Sequence, residues 1–96
     1  MVIHVVLVKP KESASLEEIQ SVLDQAKALK EIIPGIVEVE AGKNVAKHQG
    51  GFEYGLVMRF DTMEHLQAYL PHPAHLAVVK EIVRLCDTLV EFDLPA

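Results

Sequence analysis

Five histidines and two tyrosines are the side chains of this sequence best suited to moving protons near neutrality. Two histidines fall in one short segment, His72-Pro73-Ala74-His75, and a tyrosine, Tyr69, lies just before it. Proline is well placed in the first turn of a helix, where its missing N–H costs nothing. With a helix starting at Pro73, His75 sits in that first turn, beside unpaired backbone N–H groups and the positive end of the helix dipole. That setting disfavours imidazolium and keeps His75 neutral at pH 7, able to accept or donate a proton. A tyrosine hydroxyl beside neutral histidines in an apolar pocket could polarise a carbonyl and remove an activated proton. The competing reading is structural: His72 caps the helix and His75 packs at its end. Spacing alone favours the structural one.

His4 is the lone polar residue in the run Val2–Val8 (VIHVVLV). It reads as a core histidine bonded to backbone or, with less weight, as a polar group in the wall of an apolar cavity. His65 is a further candidate, whereas His48 falls in a glycine-rich stretch and reads as solvated. His72 and His75 could share a metal at a spacing of three, but no cysteine pair or close acidic ligand completes a zinc set. Cys86, the only cysteine, has no basic neighbour in sequence and reads as a buried thiol. The chain carries no GxGxxG, GxxxxGK[ST] or GxSxG motif, so dinucleotide, P-loop and serine-hydrolase chemistry lack their signatures.

The elements that must position these groups follow from hydrophobic periodicity. Val2–Val8 is apolar on both faces, which suits a strand buried on two sides. Ser15-Leu16-Glu17-Glu18 fits a capping box, and an apolar stripe from Leu16 to Ile33 predicts a helix over 15–33, stopped by Pro34-Gly35. Ile36–Ala41 alternates as a strand, with Val37, Val39 and Ala41 on one face. Gly42–Gly51 is a polar connection, and Phe52–Phe60 alternates as a third strand. Asp61-Thr62-Met63-Glu64 opens a short helix to about Leu70. A further helix runs from Pro73 to about Asp87, with Leu76, Val79, Ile82, Val83 and Cys86 facing inward. Val90, Phe92 and Leu94 alternate with Glu91 and Asp93 in a final strand.

This β-α-β-β-α(α)-β order predicts an α+β, ferredoxin-like βαββαβ fold with an antiparallel four-stranded sheet and its helices on one face. The expected organisation is a single domain over residues 1–96. Helices on one side leave the other face bare, yet the first and third strands carry apolar residues on both faces. An exposed apolar sheet calls for a partner, and a second copy related by two-fold symmetry is the simplest, so a homodimer is expected.

Composition narrows the classes of function. Half of the 96 residues are hydrophobic and 24% are charged, which excludes a disordered or collagen-like chain. Nine Lys+Arg against fourteen Asp+Glu give −5, and the basic residues are scattered, so nucleic acid is not an expected partner. The longest apolar run is far short of a membrane span, and Met1–Val8 lacks the positive start of a signal peptide. A cytoplasmic protein with no membrane partner is expected.

Several segments together are recognisable. Val2–Lys9 (VIHVVLVK), Ile32–Ile36 (IIPGI), Ala41–Val45 (AGKNV), Tyr69–His75 (YLPHPAH) and Leu89–Asp93 (LVEFD) make the chain resemble the stress-responsive A/B-barrel (Dabb) family over essentially its whole length. The resemblance implies a dimeric α+β barrel, formed by two such units paired sheet to sheet. One member of that family is a polyketide cyclase, which closes a linear poly-β-keto thioester by aldol condensation. Similarity to it implies His75 and Tyr69 as an acid/base pair, with His4 at the pocket wall. It places Tyr54 where that enzyme has a second strand histidine. Val22, Leu23 and Ala26 stand in place of bulky aromatics, and Cys86 replaces a tryptophan. The implied substrate pocket therefore includes His72, Tyr54, Leu23, Ala26 and Cys86, and its shape departs from the cyclase's own. No organic cofactor is implied, although the resemblance leaves room for a structural Mg²⁺ held by backbone carbonyls and a carboxylate. Three functions stand in order: binding of a small apolar molecule, a polyketide cyclase-like lyase, and a cofactor-free monooxygenase of the related dimeric barrel group.

Overall fold

Strand β1, Val2–Pro10, buries Val2, His4, Val6 and Val8 under the helices and leaves Ile3, Val5 and Leu7 half-buried on the opposite face. The computed structural model describes residues 1–96. Around β1 it sets β2 (Ile36–Lys43), β3 (Tyr54–Phe60) and β4 (Cys86–Pro95) in the order β2-β3-β1-β4, every neighbouring pair antiparallel. Being central, β1 is hydrogen-bonded along both edges, while its two apolar faces meet the helices on one side and the uncovered side of the sheet on the other.

Helices α1 (Leu16–Ala28), α2 (Met63–Tyr69) and α3 (Pro73–Leu85) complete the ferredoxin-like unit. The Ser15 hydroxyl accepts from the Glu18 N–H while the Glu18 carboxylate accepts from the Ser15 N–H, so the capping box is formed. The stripe Ile19, Val22, Leu23 and Ala26 is buried, but Leu16 at its start is exposed. The predicted helix over 15–33 ends early as α, because Leu29–Glu31 tightens into a 3-10 turn before Pro34.

Gly35 then turns the chain at φ +92°. A Cβ there would lie 2.3 Å from the His65 side chain, so only glycine lets α2 close on this turn. His65 itself is occupied by Asp61 Oδ1 at 2.6 Å and Thr62 Oγ1 at 3.2 Å, and helps to start α2.

Four expectations shift. The alternation of β2 is interrupted by a register irregularity between Ile36 and Glu38, so Ile36 is buried and Val37 exposed, while Val39 and Ala41 pack on the core as expected. Strand β3 starts at Tyr54, not Phe52. The Phe52 N–H and carbonyl instead serve the loop, bonding Gln49 O and Asn44 Nδ2. The inward face of α3 carries Val78, Ile82 and Leu85, while Leu76 and Val83 are exposed. Finally, α3 passes straight into β4 at Leu85–Cys86 with no intervening loop. Cys86 is thus a buried strand residue paired with Pro10, not the last inward residue of a helix.

The helix-free face is apolar across β1 and β4 and charged toward β2, where Arg59, Glu38 and Glu40 lie. Across it run the rows Leu94–Ile3–Arg59 and Phe92–Val5–Val57, followed by Val90 and Leu7 beside Gly55. Val57, Val90, Phe92 and Leu94 are all exposed.

Candidate functional site

Helix α2 ends at Tyr69 because Pro71 follows, and the last carbonyls of the helix are left without helical donors. His72 N–H bonds the Tyr69 carbonyl. His75 Nδ1 lies 2.9 Å from the Leu70 carbonyl. A carbonyl can only accept, so Nδ1 carries the proton and the neutral ring keeps its lone pair on Nε2. Burial pushes the His75 pKa below its ordinary value, against the opposing pull of the Leu70 carbonyl. Neutral His75 at pH 7, expected from its place in the first turn, is therefore favoured mainly by desolvation. That ring is a base.

Tyr69 packs against His75, ring centroids 4.0 Å apart and tilted by 37°. Its ring also meets Phe60 and His4 edge-on, at 5.0 and 5.8 Å. Burial, then the charge of Glu91, raises the Tyr69 pKa well above the ordinary phenol value. The phenol keeps its proton and donates. No buried side-chain polar atom in the chain lacks a partner, and the Tyr69 hydroxyl bonds no protein group, so it is the end of this buried residue that reaches open space.

His4 is 1% exposed and is the only buried polar residue of the chain. Its partner is a side chain, not the backbone. Nδ1 lies 2.5 Å from Asp93 Oδ1, on the residue directly across from it in the β1–β4 ladder. A carboxylate fixes which nitrogen is protonated, leaving Nε2 of His4 as the free nitrogen.

These groups share one cavity. His4, Tyr69, His75 and Glu91 provide its polar lining, and Val6, Ala26, Leu56, Val78, Val79, Ile82 and Leu89 the rest. It holds about 30 Å³ of free space. A second, almost wholly apolar space of about 10 Å³ continues from it between the sheet, α1 and α3, lined by Leu23, Ala26 and Cys86 among others. A water needs roughly 10–15 Å³, so a guest of several carbons requires α1 and α3 to part.

The structure therefore brings together His4, Tyr69 and His75, and sets Leu23, Ala26 and Cys86 along the adjoining space. His72 and Tyr54 line neither. His72 Nδ1 accepts from the Ala74 N–H at 3.0 Å and caps α3. Tyr54 opens β3, half-buried and paired with Val8 and Lys43. No group of three or more His, Cys, Asp or Glu side chains gathers where it could hold a metal ion. The Nδ1 atoms of His72 and His75 are both already engaged. These side chains therefore form no cluster of ligands for a cation.

Asp93 and Glu91 join the site without a motif to mark them, although strand alternation carries their signal. Both alternate with the apolar residues of the last strand. Once β4 lies beside β1 with Phe92 and Leu94 facing outward, Glu91 and Asp93 must face the helices.

Comparison with known proteins places these features. A family model described as the stress responsive A/B barrel domain matches residues 2–96. The chain is 29% identical over 91 residues to a stress-response A/B barrel domain-containing protein of Arabidopsis thaliana, covering 94% of this chain and 35% of that protein. It thus spans about a third of the relative's length. Among solved structures, a dimeric ferredoxin-like protein from Jannaschia sp. CCS1 superposes with a TM-score of 0.88 at 24% identity, covering 99% of this chain and 98% of the other. The hydroxynitrile lyase of Passiflora edulis superposes with a TM-score of 0.88 at 21% identity, covering 97% and 90%. At these identities the two structures establish the fold. No helix of this chain is long and apolar enough to cross a membrane.

Proposed function

The chain belongs to the stress-responsive A/B barrel domain family, and from that premise we propose that it binds a small, largely apolar carbonyl compound between its sheet and its helices, acting as a homodimer. The observation that carries this reading is the enclosed pair His75–Tyr69. A phenol that keeps its proton, stacked on an imidazole whose Nε2 is free, offers a donor for a carbonyl oxygen at the polar end of an apolar space. The apolar helix-free face supports the dimer, as does the Jannaschia neighbour, itself described as dimeric. The test is thermal unfolding against a panel of small apolar ketones. Binding raises the melting temperature by an amount that grows with ligand concentration, and the rise is lost in His75→Ala and in Tyr69→Phe. A flat response across the panel overturns the reading.

The same geometry favours a second reading, a polyketide cyclase-like lyase. His75 Nε2 would take a proton from a carbon between two carbonyls while the Tyr69 hydroxyl hydrogen-bonds the carbonyl oxygen. The resulting enolate carbon attacks a second carbonyl, forming the new carbon–carbon bond, and the alkoxide oxygen receives the proton from His75. One fold neighbour is a lyase. On a linear poly-β-keto thioester, His75→Ala is expected to lower turnover by about 10²–10⁴-fold with the fold retained. Unchanged turnover in that variant removes this mechanism.

A further inference from the structure

Glu91 is the one acidic side chain on the cavity wall, and no Lys or Arg lines the cavity with it. Strand β4 alternates, so Leu89, Glu91 and Asp93 share the helix-facing side. Asp93 is committed to His4. Glu91 has no ion-pair partner anywhere in the chain and is exposed, which puts its carboxylate at the mouth, beside Tyr69 and His75.

We propose that Glu91 sets the charge of the ligand this pocket accepts: an apolar molecule without negative charge, favoured further where it offers a hydroxyl or ammonium hydrogen beside the group that Tyr69 binds. The inference rests on the reading of the cavity as a ligand pocket. A carboxylate and a neutral imidazole nitrogen are both acceptors, so a polar group that reaches them, rather than the Tyr69 hydroxyl, must bring the hydrogen. An entering carboxylate meets a like charge at short range with no cation to offset it, which costs at least about tenfold in affinity even in a partly solvated mouth. The overall charge of −5 adds to the bias against anions. The same carboxylate helps hold the Tyr69 phenol protonated.

The experiment compares probes that share a hexyl chain and differ only in head group: hexanol, hexylamine and hexanoate. Each is titrated by NMR against the native protein and Glu91→Gln, an exchange at an exposed position that keeps shape and hydrogen bonding. The native protein is expected to bind hexanol and hexylamine and to bind hexanoate about tenfold more weakly or worse. Glu91→Gln closes that gap and weakens hexylamine by a similar factor. Hexanoate binding the native protein as tightly as hexanol overturns the role of Glu91 and leaves the pocket reading standing. A gap that persists unchanged in Glu91→Gln has the same meaning. Failure of all three probes to bind either protein overturns the pocket reading, and the selectivity with it.

Discussion

The two faces of the single sheet are made from the same strands and end in opposite conditions. On the helix-facing side, Phe60 and Met58 are completely buried, and the one buried polar side chain, His4, is paired with Asp93. On the other side, Phe92 is 50% exposed, in line with Val5 and Val57. The contrast shows how one β-sheet divides its work. The enclosed face holds polar groups in two ways: His4 is paired with Asp93, and Tyr69 is buried with its hydroxyl end turned to the cavity. The open face has its charges at the β2 edge, where Arg59 meets Glu38 at 3.7 Å, and its apolar rows lie bare beside them. Folding stability therefore belongs to the first face, and the second is left for the proposed dimer.

The sharpest way to break that division is to truncate one aromatic on each side. Phe60→Ala is expected to cost about 3–5 kcal/mol of folding stability, read from denaturant unfolding, because the cavity left in the packed layer cannot refill. A loss under about 1 kcal/mol would mean that the enclosed face does not carry the fold. Phe92→Asp should leave the secondary structure intact and turn a dimer into a monomer by light scattering, since it places a charge in the apolar rows. A dimer that survives this change would move the interface elsewhere. The smallest effect sharpens the electrostatics of the enclosed face. His75 has a folded-state pKa below its ordinary 6.5. As pH falls through 6.5, the unfolded chain therefore takes up its proton first, and stability declines from there down to the folded-state value, with no contribution above 6.5. Melting curves between pH 7 and 5 should show that decline, and His75→Asn should flatten it. An equal slope in the variant would assign it to another group.

Much of this arrangement was legible in the sequence. The two-sided strand Val2–Val8, the Ser15–Glu18 capping box and the helix starts at Thr62 and His72 are local signals, each carried by a few adjacent residues. What escaped depends on partners far apart in the chain. Cys86 falls on the periodic stripe of a helix, yet pairing with Pro10 draws it into β4. Leu76 and Val83 extend an apolar pattern by sequence and face outward, because the surface α3 must cover selects Val78, Ile82 and Leu85. At the site, His75 and Tyr69 announce themselves through His-Pro-Ala-His, whereas the pairing of His4 with Asp93 spans 89 positions and exists only through strand register. Glu91 escaped notice for the same reason.

Strand β4 also constrains how this protein can vary in length. Its residues serve the two faces in strict turn: Leu89, Glu91 and Asp93 inward, Val90, Phe92 and Leu94 outward. The period is two, so inserting or deleting one residue early in β4 would exchange the two sets, sending carboxylates into the apolar rows and a phenyl ring toward His4. Because α3 runs into β4 without a loop, the slack upstream is confined to the irregularity opposite Lys9 and Pro10, where Asp87 is the extra residue of β4. Beyond that irregularity only paired insertions or deletions preserve both faces, so natural length changes between Thr88 and Pro95 should come in even numbers.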